Sequence, residues 1–74
     1  MADVTSNARA LGTTVRTLRQ GAGMRVEDLA SATGLASRTI TRLEAGKEPS
    51  VSTLRRIAGA FGVSVADLLG GPTA

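Results

Sequence analysis

The sequence predicts an all-α domain built from five short helices. Apolar residues recur at spacings of three and four along most of the chain, as they do on one face of a helix, and no segment alternates like a strand. Each predicted helix is followed by glycine, a residue that commonly ends helices. A chain of 74 residues has room for one domain of this kind.

The first helix is predicted to begin at Asn7, a favourable N-cap residue, and to end at Gly21 and Gly23. Residues 1–6 show no periodicity, so we expect them to be flexible. The apolar residues of this helix follow the helical spacing: Ala8, Leu11, Val15, Leu18 and Ala22.

The second helix is predicted over residues 26–33, with Glu27 and Asp28 in its first turn, where the helix dipole favours acidic side chains. Gly34 ends it. The third helix follows over about residues 37–45 and is ended by Gly46.

The fourth helix is predicted to begin at Ser50 and to end at Gly62. Ser64 and Asp67 have the spacing of a capping box, which predicts a last short helix through Leu69. We therefore expect a domain over residues 7–69 and a flexible tail over residues 70–74. The fourth helix places these apolar residues on one face: Val51, Leu54, Ile57, Ala58 and Phe61.

The composition favours a binding module over an enzyme. The chain has no Cys and no His, and its only aromatic residue is Phe61. It therefore has no thiolate metal site, no histidine base and no set of stacking platforms for single-stranded nucleic acid, and we expect neither a cofactor nor a metal. Apolar runs are too short to span a membrane, and the lack of Cys suits the cytoplasm, where we expect the protein to lie. The net charge of +3 indicates an anionic partner.

The second and third helices are joined only by residues 34–36, which is the arrangement of a helix-turn-helix unit. Around it, six further sets of residues follow a recognisable order: 15–19, 28–30 with 34–35, 40–46, 49–50, 57–58 with 61–64, and 68–69. In these segments the chain resembles the lambda-repressor-like family of DNA-binding domains, the Cro/C1 or XRE group, over about residues 11–69. The resemblance implies a compact five-helix domain that binds double-stranded DNA.

A helical wheel of the third helix turns Ile40 and Leu43 inward and places Arg38 and Arg42 on the opposite face. Arginine binds guanine edges and phosphates bidentately, so this face suits the major groove of DNA. A solvated charged face is the alternative interpretation. The resemblance implies base contacts from Ala36, Ser37, Arg38, Thr39 and Arg42.

Lys47 matches a family position that commonly meets phosphate, and Arg25 and the backbone at Val26 are the other phosphate candidates. Family members usually carry a capping Ser or Thr followed by Gln where this chain has Arg25 and Val26, and a capping Ser or Thr where it has Ala36. These departures put the usual phosphate contact in doubt. Four other arginines are either phosphate contacts or solubility charges: Arg9, Arg16, Arg55 and Arg56.

The resemblance also implies a partly buried ion pair between Arg19 and Glu44 that ties the first helix to the third. Two exposed charges are the alternative. In the family, the segment between the fourth and fifth helices often forms a two-fold contact, and we expect a homodimer. The alternative is that the apolar residues here only fill the core. The dimer candidates are Phe61, Val63, Val65 and Leu68, with Leu69 in the same segment.

The function we expect is sequence-specific binding of double-stranded DNA by a transcriptional regulator, as a small repressor or controller. The arginines of the third helix and the positive net charge favour it. The alternative is a protein-interaction module with the same fold, such as an antitoxin that binds a toxin. The altered cap positions favour that alternative, and no pair of nucleophile and base supports an enzyme.

Overall fold

The computed structural model of the protein describes residues 4–70, which form five helices and, within that range, no strand. The all-α prediction is confirmed. The helices are joined by short turns and pack around a single core. Their bounds are α1 Val4–Gly21, α2 Val26–Thr33, α3 Ser37–Glu44, α4 Val51–Phe61 and α5 Val65–Gly70.

The ends of the domain differ from the prediction. Helix α1 begins at Val4, so residues 4–6 are helical, and Asn7 lies within the helix and is not its N-cap. No Gly or Pro stands between Val4 and Asn7, and Asn is tolerated inside a helix at modest cost. Gly70 is the last residue of α5, whereas we expected the tail to begin there. Residues 1–3 and 71–74 lie outside the described residues.

Each helix contributes one almost fully buried aliphatic side chain to the core. These five side chains are at most 1% exposed, which makes them the centre of the domain: Val15, Leu29, Ile40, Ile57 and Leu68. Two residues predicted on the apolar faces are exposed: Val51 in the first turn of α4 is 61% exposed, and Ala22 is exposed after the end of α1. Val51 is the first residue of α4 and is not part of the core cluster that contains Leu54 and Ile57.

Local interactions fix where the helices start and stop. Ser64 and Asp67 form the predicted capping box: the Asp67 backbone N–H donates to Ser64 Oγ at 3.0 Å, and the Ser64 N–H donates to Asp67 Oδ2 at 3.1 Å. Helix α4 begins after Ser50, whose hydroxyl accepts from the Thr53 N–H at 3.1 Å. Gly34 ends α2 with a φ of 75°, a left-handed conformation that glycine adopts without strain.

Helices α1 and α3 meet at Gly12, where no side chain separates their backbones. A Cβ atom at this position would overlap the Leu43 carbonyl oxygen and lie 3.1 Å from the Glu44 carbonyl oxygen. Gly12 therefore permits the close approach that brings the end of α3 against α1. A glycine inside a helical pattern indicates a close contact, but the sequence does not show which element makes that contact.

The substitution Gly12→Ala is expected to destabilise the domain by about 1–3 kcal/mol, because the added methyl group must push α1 away from α3. Gly59 provides a matched control, since it is also helical but nothing lies within 4 Å of the position that an added methyl group would occupy. Gly59→Ala is expected to stabilise the domain by up to about 1 kcal/mol through helix propensity. Urea unfolding followed by circular dichroism measures both, and equal effects of the two substitutions would contradict the close approach.

Candidate nucleic-acid interface

Helices α2 and α3 are joined by a turn whose backbone is held at several points. Within the turn, the Leu35 N–H donates to the Ala30 carbonyl at 3.2 Å and to Thr33 Oγ1 at 3.3 Å. From α4, Arg56 Nη1 donates to the Thr33 carbonyl oxygen at 3.1 Å. Arg56, whose role the sequence left open, therefore stabilises the end of α2. No local pattern would have revealed this contact, because its partners lie 23 residues apart.

Helix α3 presents opposite faces to the core and to solvent, as the helical wheel predicts. Ile40 and Leu43 are buried, and the outward face is exposed at Arg38, Arg42 and Thr41. Ala45, which follows the helix, is exposed on the same side. The buried pair fixes the rotation of α3 about its axis, so the two arginines extend away from the protein.

Four of the five predicted base-reading residues are exposed around the start and outward face of α3: Ala36, Ser37, Arg38 and Arg42. The fifth, Thr39, is half-buried. It lines a groove between α3 and the start of α4, together with Arg42, Lys47 and Ser50. Thr39 is therefore at the margin of the predicted surface and next to the exposed Lys47.

The arginines of the described residues divide into those with partners and those without. Arg19, Arg25 and Arg56 donate hydrogen bonds to carboxylate or carbonyl oxygens. Arg38 and Arg42 make no side-chain hydrogen bond or ion pair with any residue in 8–70. The outward face of α3 thus holds two guanidinium groups whose donors are all available.

The end of α3 is tied to α1 by an ion pair between Arg19 and Glu44. Arg19 Nε lies 2.7 Å from Glu44 Oε2, and its Nη2 lies 2.9 Å from Oε1, so both carboxylate oxygens are used. The side chains are only 11% and 9% exposed. The hydrogen bond to Glu44 raises the pKa of Arg19 above its ordinary value, so the guanidinium stays charged.

Arg19 also binds the turn that leads into α2. Its Nη1 donates to the Met24 carbonyl oxygen at 2.9 Å, immediately before Arg25. One guanidinium therefore connects α1, the entry to α2 and the last residue of α3. Because these contacts satisfy the guanidinium on three sides, Arg19 is unavailable for a ligand.

The start of α2 lacks a side chain that accepts a hydrogen bond from the helix backbone. Its N-cap residue is Arg25, and the carboxylate of Asp28 instead accepts from the Arg25 backbone N–H at 2.8 Å and from Arg25 Nε at 3.3 Å. The backbone N–H and then the guanidinium hold the pKa of the Asp28 carboxyl below its ordinary value. The Arg25 side chain remains 77% exposed.

The side chain of Val26 packs partly against the core, so it does not extend toward a ligand at the start of α2. Only the backbone N–H of this residue is suited to a phosphate contact, since the first N–H groups of a helix have no acceptor within it. Helix α3 likewise begins at Ala36 without a side-chain cap. Both departures from the family pattern therefore lie at the starts of the two helices of the helix-turn-helix unit.

The predicted dimer candidates are not equivalent. Phe61, Val63 and Val65 are half-buried and pack against the core. The prediction that Leu68 is a dimer contact is wrong. Its side chain is only 1% exposed, because it lies on the side of α5 that packs against α1 and α4. Its neighbour Leu69 is 60% exposed.

None of the helices described between residues 4 and 70 has the length and apolar character needed to cross a bilayer.

Two short helices held at a fixed turn, the second with its polar face outward, define a helix-turn-helix domain. Comparison with known protein families agrees, because a family model described as helix-turn-helix, HTH_3, matches residues 15–68. The chain belongs to this family of Cro/C1-type, or XRE-type, DNA-binding domains.

Similar proteins include a curated relative from Deinococcus deserti, the HTH-type transcriptional regulator DdrOP3, which is 40% identical over 58 residues. That match covers 77% of this chain but 45% of the relative, so the chain spans less than half of its length. Two crystal structures of the clp gene regulator ClgR from Corynebacterium glutamicum are also similar. One has a TM-score of 0.77 at 36% identity and covers 85% of this chain and 68% of that one. The other has a TM-score of 0.76 at 33% identity, and that match covers 92% of this chain and 94% of the ClgR chain.

The substitution Glu44→Ala is expected to destabilise the domain by about 3 kcal/mol, because it leaves Arg19 charged and largely buried without its carboxylate. Glu48→Ala is the matched control, since Glu48 is exposed and its loss is expected to change stability by less than about 0.5 kcal/mol. Thermal melts followed by circular dichroism compare the two. A Glu44→Ala protein that melts with the control would show that the ion pair does not hold the helices.

Proposed function

We propose that this chain binds specific sequences of double-stranded DNA as a transcriptional regulator, a small repressor or controller, with α3 in the major groove. The observation that carries the proposal is the outward face of α3, where Arg38 and Arg42 are exposed and have no partner in residues 8–70. Guanidinium donors of this kind suit base edges in the major groove. The family match and the similarity to transcriptional regulators support the same function.

Within this proposal, the residues at the start of α3 have different roles. Ala36 and Ser37 approach the base edges at the first turn, while Arg38 and Arg42 reach farther with long side chains. Thr39 contacts the DNA from the margin, because it is half-buried beside the groove that Lys47 lines. All five are therefore assigned to base readout, with the two arginines as its principal donors.

Phosphate contacts from two sides orient α3 in the groove. Lys47 follows α3 and is exposed, so it is placed to bind one phosphate. At the start of α2, the backbone N–H of Val26 and the exposed Arg25 guanidinium bind another. Val26 stands where family members usually carry an amide side chain, so the phosphate contact falls to the neighbouring Arg25, whose guanidinium Asp28 holds at the helix start.

A homodimer places two copies of α3 on successive major grooves, about 34–36 Å apart, and gives a palindromic binding site. The segment that supports this assembly contains the half-buried Phe61, Val63 and Val65 together with Leu69, which is 60% exposed. Burial of these apolar surfaces against a second copy would add stability that a domain of this size lacks. Leu68 has no part in it, since its side chain is already in the core.

One observation favours the alternative of a protein-interaction module such as an antitoxin. Arg25 and Ala36 provide no side-chain cap for α2 or α3, although family members use these positions on the DNA-facing side. A domain that binds protein through this fold has no need of the phosphate contacts that the caps support. Arg38 and Arg42 favour DNA more strongly, because they are cations on an exposed helix face without a partner among the side chains described.

The double substitution Arg38→Ala and Arg42→Ala is expected to reduce binding of a duplex enriched from a random pool to the level of unrelated duplexes, because both base-reading guanidinium groups are lost. Fluorescence anisotropy over a series of salt concentrations measures this. Arg55→Ala is the control, since it removes an exposed arginine from α4 and is expected to keep the preference for the enriched duplex. If the double variant kept that preference, α3 would not be the reading element.

A further inference from the structure

We propose that the half-site read by α3 contains two guanines about two base pairs apart, one bound by Arg38 and the other by Arg42. This inference depends on the proposed function, since it assumes that α3 lies in the major groove. It adds which bases the outward face of α3 prefers and how far apart those bases lie in the DNA. Two features of α3 support it: the donors and acceptors that remain available, and the distance between them.

The available groups on α3 favour guanine over the other bases. Helix α3 contains no Asn or Gln, the side chains that pair bidentately with adenine. Its one carboxylate, Glu44, has both oxygens bound by Arg19, so no carboxylate is left to accept from the amino group of cytosine. The Thr41 hydroxyl donates to the Arg38 carbonyl oxygen at 3.0 Å. The strong donors left are the guanidinium groups of Arg38 and Arg42, and these match the O6 and N7 acceptors of guanine.

The spacing of the two arginines sets the spacing of the guanines. Arg38 and Arg42 are four residues apart on one face, which places them about 6 Å apart along the helix axis. Successive base pairs of B-DNA are about 3.4 Å apart along its axis, so with α3 aligned along the stacked bases of the groove this separation is close to two steps. Ala45 is exposed beyond Arg42 on the same side and carries no group that would hold the helix away from the DNA.

The test begins with selection of duplexes from a random pool by the 74-residue chain. The consensus is expected to contain two guanines separated by one intervening base pair in each half-site. Replacing either guanine is expected to weaken binding about 10- to 100-fold. The substitution of 7-deazaguanine for each guanine tests the contact without changing the protein, because it removes N7 and keeps base pairing; it is expected to weaken binding at both positions.

Three variants assign the contacts. Arg38→Gln is expected to lose the preference for the guanine that Arg38 binds and to keep the preference for the other guanine. Arg42→Gln is expected to lose the preference for the guanine that Arg42 binds and to keep the preference for the first. Lys47→Ala is the matched comparison: loss of a phosphate contact weakens binding to all duplexes by a similar factor and lowers the salt dependence. Circular dichroism checks that the variants fold.

The outcomes separate this inference from the function on which it depends. A consensus without the two guanines, or arginine variants that behave like Lys47→Ala, would overturn the guanine assignment and leave sequence-specific DNA binding in place. A pool from which no sequence is enriched would overturn both.

Discussion

The ion pair between Arg19 and Glu44 is the interaction on which the position of α3 depends. The same guanidinium binds the Met24 carbonyl, so one side chain fixes the end of α3, α1 and the entry to α2 relative to one another. Gly12 allows the backbones of α1 and α3 to approach closely next to this pair. Ile40 and Leu43 then set the rotation of the helix, so its outward face results from contacts made on its inward side.

The positive charge of the protein has two distinct uses. Arg19, Arg25 and Arg56 bind carboxylate or carbonyl oxygens at helix ends. Arg38 and Arg42 have no such partners in the described residues and are carried on the exposed face of α3. A net charge of +3 is small for binding DNA, so the location of the unpaired arginines matters more than the total.

The helix boundaries inside the domain, the capping box at Ser64 and the outward direction of Arg38 could be predicted because they depend on neighbouring residues. The predictions that failed concern residues whose surroundings are set by residues distant in the sequence. In a six-residue helix, periodicity alone does not decide whether Leu68 or Leu69 faces the core, and contacts with α1 and α4 settle it. The contact of Arg56 with Thr33 joins two helices, and no local pattern encodes it.

The claim that the exposed face of α3 is the surface that binds DNA can be tested most directly by nuclear magnetic resonance. Backbone amide shifts of the isotopically labelled protein are followed while an enriched duplex is added. The account predicts that the largest changes fall in residues 36–42, at Lys47 and at the start of α2, with smaller changes at Val15 and Ile57 in the core. Changes concentrated on α4 and α5, with α3 unaffected, would contradict it.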